Sequence, residues 1–275
     1  MKKKRHLKKW VWLCLWSISF IGIFISFYEI VNYLLDSINT NELIKDINSN
    51  ISINDSADNE NTEIINPPDE DTDPNNDYWN YIKMPLMNVD FDELININKD
   101  TIGWINVNNT SINYPFVQTD DNDYYLTHSF NKSYNKSGWI FLDHRNNADL
   151  SNRNNVIYGH SRNDKTMFGT LKTILNSSWY ENNDNYTIKI STSKENSLWQ
   201  VVSIYKIKSE SYYITTSFND TQFKEFENTI LKRSIYNFKT SLNLNDKILT
   251  LSTCDSTGKN RIVMHAKLIK KEAKV

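Results

Sequence analysis

The chain predicts a mainly β domain, an eight-stranded barrel or sandwich, carried behind an apolar N-terminal helix. Three observations predict it. Eight short runs rich in β-branched and aromatic residues follow one another between residues 102 and 269, separated by Asn, Asp and Ser clusters. Few stretches break that pattern with helical spacing. The first 35 residues place a basic cluster before an apolar run whose length suits a bilayer.

The elements can be justified in order. Lys2, Lys3, Lys4, Arg5, Lys8 and Lys9 form a basic tail over 1–9, and an almost uncharged run from Trp10 to Tyr28 follows. Apolar character continues weakly through Ile30, Val31, Leu34 and Leu35, so the expected transmembrane anchor spans 10–35. A cleaved signal peptide would have a shorter apolar region and a small-x-small cleavage site; Phe24-Ile-Ser-Phe-Tyr28 is bulky, which favours an uncleaved anchor. The basic flank then stays in the cytoplasm and the rest is exported.

Residues 36–77 read as a polar and acidic stalk. The stretch 36–54 has scattered Ile and Leu and suits a helix, whereas 55–77 holds nine acidic residues, no Lys or Arg and the Pro67-Pro68 pair. Such a stretch cannot bury enough apolar surface to fold alone and is expected to be extended. The folded domain is expected over 78–275. Asp90 reads as the N-cap of a short helix. The eight strands are expected at 102–107, 111–117, 137–143, 154–159, 186–191, 198–208, 246–253 and 261–269. Helices are expected at 164–175 and, from the spacing of Phe223, Phe226, Ile230 and Leu231, at 220–233, between strands 6 and 7. A closed barrel has the advantage of leaving no edge strand exposed.

Composition excludes some classes of function. The chain has 275 residues, 39% hydrophobic and 13% aromatic, enough for one ordinary core. A net charge of -2 gives no reason to expect nucleic acid as a partner. No metal-ligand cluster is visible, and no cofactor is expected.

Cys14 lies inside the expected anchor and Cys254 near the C-terminus, so a disulfide between them is implausible. An unpaired thiol in an exported domain is either reactive or buried and inert, and the count alone leaves both open. Alternation in Lys247-Ile-Leu-Thr-Leu-Ser-Thr-Cys254 puts Ile248, Thr250, Ser252 and Cys254 on one strand face, with the thiol where the chain leaves the sheet. If the next strand returns as a hairpin, Arg261 lies opposite Cys254. A guanidinium there favours thiolate and can donate to an oxyanion, though taken alone the residue reads more readily as an ordinary cross-strand surface Arg. A thiol nucleophile usually needs an imidazole. His6 is on the cytoplasmic side, His128 and His144 sit in loop-like sequence, and His265 lies within the last strand. His160 ends the run Asn155-Val-Ile-Tyr-Gly-His160 and is the strongest candidate by position.

Thr250-Leu-Ser-Thr-Cys254 followed by Arg261-Ile-Val-Met-His-Ala-Lys resembles the active-site strands of sortases. Tyr158-Gly-His160-Ser, closing with Met167-Phe168, resembles the family's histidine segment. Gly103-Trp-Ile, Tyr114-Pro-Phe-Val-Gln118, Asp121-Asn-Asp-Tyr-Tyr-Leu126 and Gly138-Trp-Ile-Phe-Leu-Asp143-His-Arg145 are similar to class B sortases in particular, and the match runs from about residue 98 to 269. The resemblance implies a closed eight-stranded sortase-type β-barrel, with Cys254 as nucleophile, His160 as general acid/base and Arg261 as transition-state stabiliser. It places class B pocket positions at Asn122, Leu126, Tyr158, Tyr213, Ile214, Ser252 and Thr253. It implies transpeptidation of sorting-motif-bearing surface proteins onto a cell-wall peptide amine or a pilin lysine. Only six residues separate Cys254 from Arg261, a departure that bears on the shape of the adjacent groove. Two other functions are compatible with the same residues, a hydrolytic cysteine protease and a non-catalytic β-barrel surface module whose Cys is structural.

Overall fold

A computed structural model describes residues 8–68, 77–254 and 259–274, with Cys254 described by its backbone. Most of the basic tail, part of the acidic stretch and most of the loop after Cys254 lie outside the described residues. The eight barrel strands are β4 (Thr101–Val107), β5 (Asn113–Val117), β6 (Phe141–Leu142), β7 (Asn154–Tyr158), β8 (Thr187–Thr192), β9 (Glu195–Lys208), β10 (Ile248–Cys254) and β11 (Asn260–Ala273). They run β10-β7-β6-β5-β4-β8-β9-β11, and β11 pairs back onto β10 to close the barrel. Each expected strand has its counterpart. The expected strand 137–143 shrinks to two paired residues, because Gly138 at φ +60 turns the chain before it can enter the sheet.

The expected helix at 220–233 is α5 (Asp220–Arg233), opened by a capping box between Asn219 and Gln222. That at 164–175 is not an α-helix. Lys165 and Met167 have positive φ, and a 3-10 segment Gly169–Leu175 leads into α4 (Ser177–Tyr180). Asp90 sits one residue ahead of the N-cap of α3 (Asp92–Ile97), its carboxylate accepting the Asp92 N–H at 3.0 Å.

The N-terminal part departs furthest from expectation. α1 (Lys9–Asn50) is one continuous helix of 42 residues, long and apolar enough to cross a bilayer. Beyond it, the expected spacer is docked on the barrel. β1 (Ile53–Ser56) pairs with β3 (Leu86–Val89), and β2 (Thr62–Ile64) adds to the free edge of β11. The short helix α2 (Tyr78–Tyr81) follows. The physical reason is a buried cation. Lys270 of β11 is 0% exposed and donates to Asp58 and to the carbonyls of Ile82 and Met84, while Lys271 pairs with Glu63 at 3.1 Å. Acidity that reads as solvation along the sequence is charge complementarity in space.

Two apolar cores flank β10. Leu249 and Leu251 point into the barrel with Trp104, Phe116, Trp139 and Ile157. Ile248 joins Val263, Tyr205, Phe223, Phe226 and Ile230 in a second cluster under α5. The strand that ends at Cys254 is therefore packed on both faces.

Candidate active site

β10 lies between a parallel and an antiparallel neighbour. On one side Ser252 pairs with Tyr158 of β7, and Gly159 N–H donates to the Ser252 carbonyl at 3.3 Å. On the other side Cys254 stands opposite Arg261 of β11. His160 follows Tyr158 by two residues, as Cys254 follows Ser252, so both leave neighbouring strands at the same edge of the sheet, where strands are spaced about 4.8 Å apart.

The His160 ring is held on two sides, and its backbone is fixed behind. Its Nε2 lies 2.8 Å from the Leu126 carbonyl. A Cβ on Gly138 would stand 2.9 Å from the ring Cδ2 and 2.5 Å from the Tyr125 carbonyl, so only glycine fits beneath the imidazole. The Phe168 N–H donates to the His160 carbonyl, and Ser161 bridges to Met167, closing the loop behind the ring. Gly159 meets Ile140 and Phe168 closely enough that a Cβ there would clash. Arg261 is half-buried, with Nη1 donating to the Asn260 carbonyl at 3.2 Å.

The other expected pocket positions fall into linked groups. The Tyr158 hydroxyl donates to Asp143 at 2.8 Å. Asp143 is fully buried and receives a bidentate pair from Arg145, whose Nη2 also donates to the Ile214 carbonyl at 2.9 Å. Burial alone would raise the Asp143 carboxyl, but the Arg145 side chain, the Arg145 N–H and the Tyr158 hydroxyl together hold it below the usual carboxylate range. Burial, followed by the Asp143 charge, pushes the Tyr158 phenol far up, so it stays a donor. Ser252 Oγ reaches the Tyr213 hydroxyl at 3.4 Å, Thr253 is buried, and Leu126 is 37% exposed beside His160. Asn122 accepts the His144 N–H at 3.0 Å, next in sequence to Asp143.

Asp143 and Arg145 had no role assigned from the sequence, although a carboxylate and a guanidinium two residues apart after a buried strand are a readable signal. A second group had none. Thr250 Oγ1 donates to Asn154 Oδ1 at 2.6 Å, and Asn154 Nδ2 donates to the carbonyls of Tyr213 and Thr215. That direction makes His265 Nδ1–H the donor to Thr250 (2.8 Å) and Nε2 the acceptor from the Tyr205 hydroxyl (2.7 Å). Burial lowers the His265 pKa to about 3, so this imidazole is neutral and structural. His128 stacks on Tyr124 at 4.1 Å. Among the described residues no three His, Cys, Asp or Glu side chains converge on a metal-sized site.

A closed barrel that ends one strand in cysteine opposite an arginine, with a histidine two residues past the end of the parallel neighbour, has the framework of a cysteine transpeptidase. A sortase domain model matches residues 105–269, and the chain belongs to the sortase family. Its relatives are of class B. Sortase B of Staphylococcus aureus is 38% identical over 66% of this chain and 75% of its own length. The crystal structure of a Staphylococcus aureus sortase B–substrate complex superposes with a TM-score of 0.61 at 37% identity, covering 66% of this chain and 84% of that one. A sortase B complexed with triglycine gives 0.62 at 38%, covering 66% and 85%.

Proposed function

We propose that the chain is a membrane-anchored transpeptidase that cleaves a C-terminal sorting motif of surface proteins and transfers the acyl part to an amine. The carrying observation is the register of β10, which pairs Cys254 with Arg261 and Ser252 with Tyr158, two residues before His160. Unperturbed thiol and imidazole titrate near about 8.5 and about 6.5, so few molecules at neutral pH hold thiolate and imidazolium together without help from the site. In the proposed first step the Cys254 sulfur bonds to the peptide carbonyl carbon, and Arg261 donates to the oxyanion. The C–N bond then breaks, the leaving amine takes a proton from His160, and a thioester remains. In the second step an incoming amine attacks the thioester, His160 takes its proton, and the C–S bond breaks to release a new amide.

The acceptor is a cell-wall peptide amine or a pilin lysine, and the complex of a related sortase B with triglycine supports an amine in that role. Tyr158, Tyr213, Ile214, Ser252, Thr253, Asn122 and Leu126 line the route of the sorting motif, supported by their linkage around the same strand ends. α1 supports a single-pass anchor at residues 10–35, with the N-terminus cytoplasmic and the catalytic domain, from residue 78, outside.

The test is a randomised sorting-peptide library incubated with the full chain, with and without triglycine, read by mass spectrometry. Wild-type protein should form a thioester on Cys254 and yield triglycine-capped product, and Cys254→Ala should form neither. Undiminished turnover by Cys254→Ala would end the proposal, and water-terminated product in the presence of excess triglycine would make the enzyme a hydrolase.

A further inference from the structure

The barrel is not tethered loosely to α1; it is clamped to it, and the clamp closes on the two loops that hold His160. Thr40 is 0% exposed and receives Asn135 Nδ2 at 3.1 Å, while the same amide donates to the Asp36 carbonyl and the Lys136 N–H donates to the Asp36 carboxylate. Ser37 donates to Asp164, and Arg162 stacks on the Tyr33 ring at 4.5 Å. Burial opposes ionisation of Asp164, but Ser37, Thr166 and Arg162 hold its pKa down to about 2, so the clamp carries a carboxylate at all physiological pH. Asn135 leads into Gly138 under the imidazole, and Arg162 lies two residues beyond His160.

The position of the clamp along α1 sets its height above the bilayer. Trp10 to Tyr28 is nineteen residues, about 28 Å of helix, which matches a hydrocarbon core of about 30 Å. The hydrocarbon boundary then falls near Tyr28. Lys136 Nζ reaches Glu29 at 3.1 Å, one residue past that boundary. The loop backbone meets α1 at Asp36, about 12 Å further along the axis. The headgroup layer fills about 5–7 Å of that height. On the face of α1 turned from the barrel, Ile30, Leu34 and Leu35 are more than half exposed or nearly so, at 58%, 53% and 50%. Ile30, two residues past the boundary, falls inside the headgroup layer, where lipid covers an apolar side chain. The loop also presents Tyr134, 66% exposed, an amphipathic ring of the kind enriched at membrane interfaces.

Resting on the reading of α1 as a membrane anchor, we propose that residues 131–136 form a membrane-contact surface. The clamp holds the loop backbone just above the headgroup layer, with the Lys136 side chain reaching down through it to Glu29, and turns the loops that hold His160 towards the bilayer. A peptide bond reaching Cys254 is then cleaved beside the lipid surface, which suits a substrate whose own span is still in the membrane.

The experiment uses the full chain carrying Cys14→Ser, Cys254→Ala and Tyr134→Cys, labelled with an environment-sensitive fluorophore. It is placed in nanodiscs of phosphatidylcholine and phosphatidylglycerol, with and without a headgroup nitroxide lipid. The expected result is blue-shifted emission, quenched by more than half, with both signals reduced when Tyr33→Ala and Ser37→Ala open the clamp. Water-like, unquenched emission at residue 134 would overturn the proposal. A parallel Ile21→Cys label with a chain-centre nitroxide tests the anchor itself: quenching at 21 without quenching at 134 sinks only the contact surface, and no quenching at 21 sinks the anchor. If Tyr134→Cys does not fold, acylation of Lys132 and Lys136 by a water-soluble ester decides. Protection in nanodiscs relative to detergent supports the contact, and equal modification overturns it.

Discussion

Arg145→Ala tests the arrangement that ties Tyr158 to Ile214. Asp143 is 0% exposed and the Arg145 side chain 42% exposed, so the carboxylate depends on a guanidinium that water partly reaches. Removing one partner of a fully buried pair costs about 3–5 kcal/mol, and solvent at the Arg145 end brings the expected loss to about 2 kcal/mol. For a domain of this size that lowers the melting temperature by about 4–8 °C. The pH dependence separates this mechanism from a general packing defect. With Arg145 present, the Asp143 pKa is depressed, so its contribution is present above the unfolded value of about 3.9 and is lost as pH falls through the lower folded value. Without Arg145, burial dominates and raises that pKa. The penalty is then full at pH 7 and fades as acid protonates the carboxyl. Melting curves of the full chain in detergent should therefore show a gap at pH 7 that narrows towards pH 4. The same variant frees the Ile214 carbonyl, and KM for a reactive peptide should rise several-fold. An equal gap at both pH values, or none at pH 7, would refute the reasoning.

Three further outcomes follow from the same geometry. The His265 pKa of about 3 lies below the unfolded value of about 6.5, so its neutral form stabilises the fold above 6.5 and the benefit is lost as pH falls towards 3, at up to about 1.4 kcal/mol per unit. His265→Gln should flatten the loss of stability between pH 6.5 and 4 in melts at stepped pH. Gly138→Ala forces a Cβ to 2.5 Å from the Tyr125 carbonyl at φ +60, costing about 1–3 kcal/mol, and should cut thioester formation at least tenfold by displacing the His160 ring. Lys270→Ala leaves Asp58 and the Ile82 and Met84 carbonyls without their donor, and limited proteolysis should then cut between β1 and β2 where the wild type resists.

The barrel was legible in the sequence because its strands are short β-branched runs bounded by Asn and Asp, and periodicity reports burial on one face or two. α5 was legible for the same reason, its Phe223, Phe226 and Ile230 lying on one stripe. Where the reading failed, the deciding partner was remote in sequence. Asp58 and Glu63 look like a solvated spacer until Lys270 and Lys271 are beside them, more than two hundred residues on. The 164–175 segment has helical spacing, but Lys165 and Met167 take left-handed φ to carry the chain round behind His160. Of the candidate site, strand-end positions could be read from alternation. The links of Tyr158 to Asp143 and of Thr250 to Asn154 could not, because hydrogen bonds across the sheet leave no periodic trace.

Those cross-sheet links do more than fill space. An unbroken relay runs from the Tyr212 hydroxyl through Tyr205, His265, Thr250 and Asn154 and returns to the turn at Tyr213 and Thr215. Its members lie on the α5 side of β10, while Leu249 and Leu251 face the barrel interior. Sliding β10 by one residue would turn Thr250 and Ser252 into the apolar interior and expel both leucines, stranding the buried imidazole and amide. Apolar packing alone penalises that slip, but the relay also fixes which neighbours Thr250 must meet on β7 and β11. The register that satisfies it is the one that sets Cys254 opposite Arg261 and Ser252 opposite Tyr158, two residues before His160. A buried polar network outside the barrel thereby specifies the alignment of the proposed chemistry at its rim, and ties it to the turn that carries Tyr213 and Ile214.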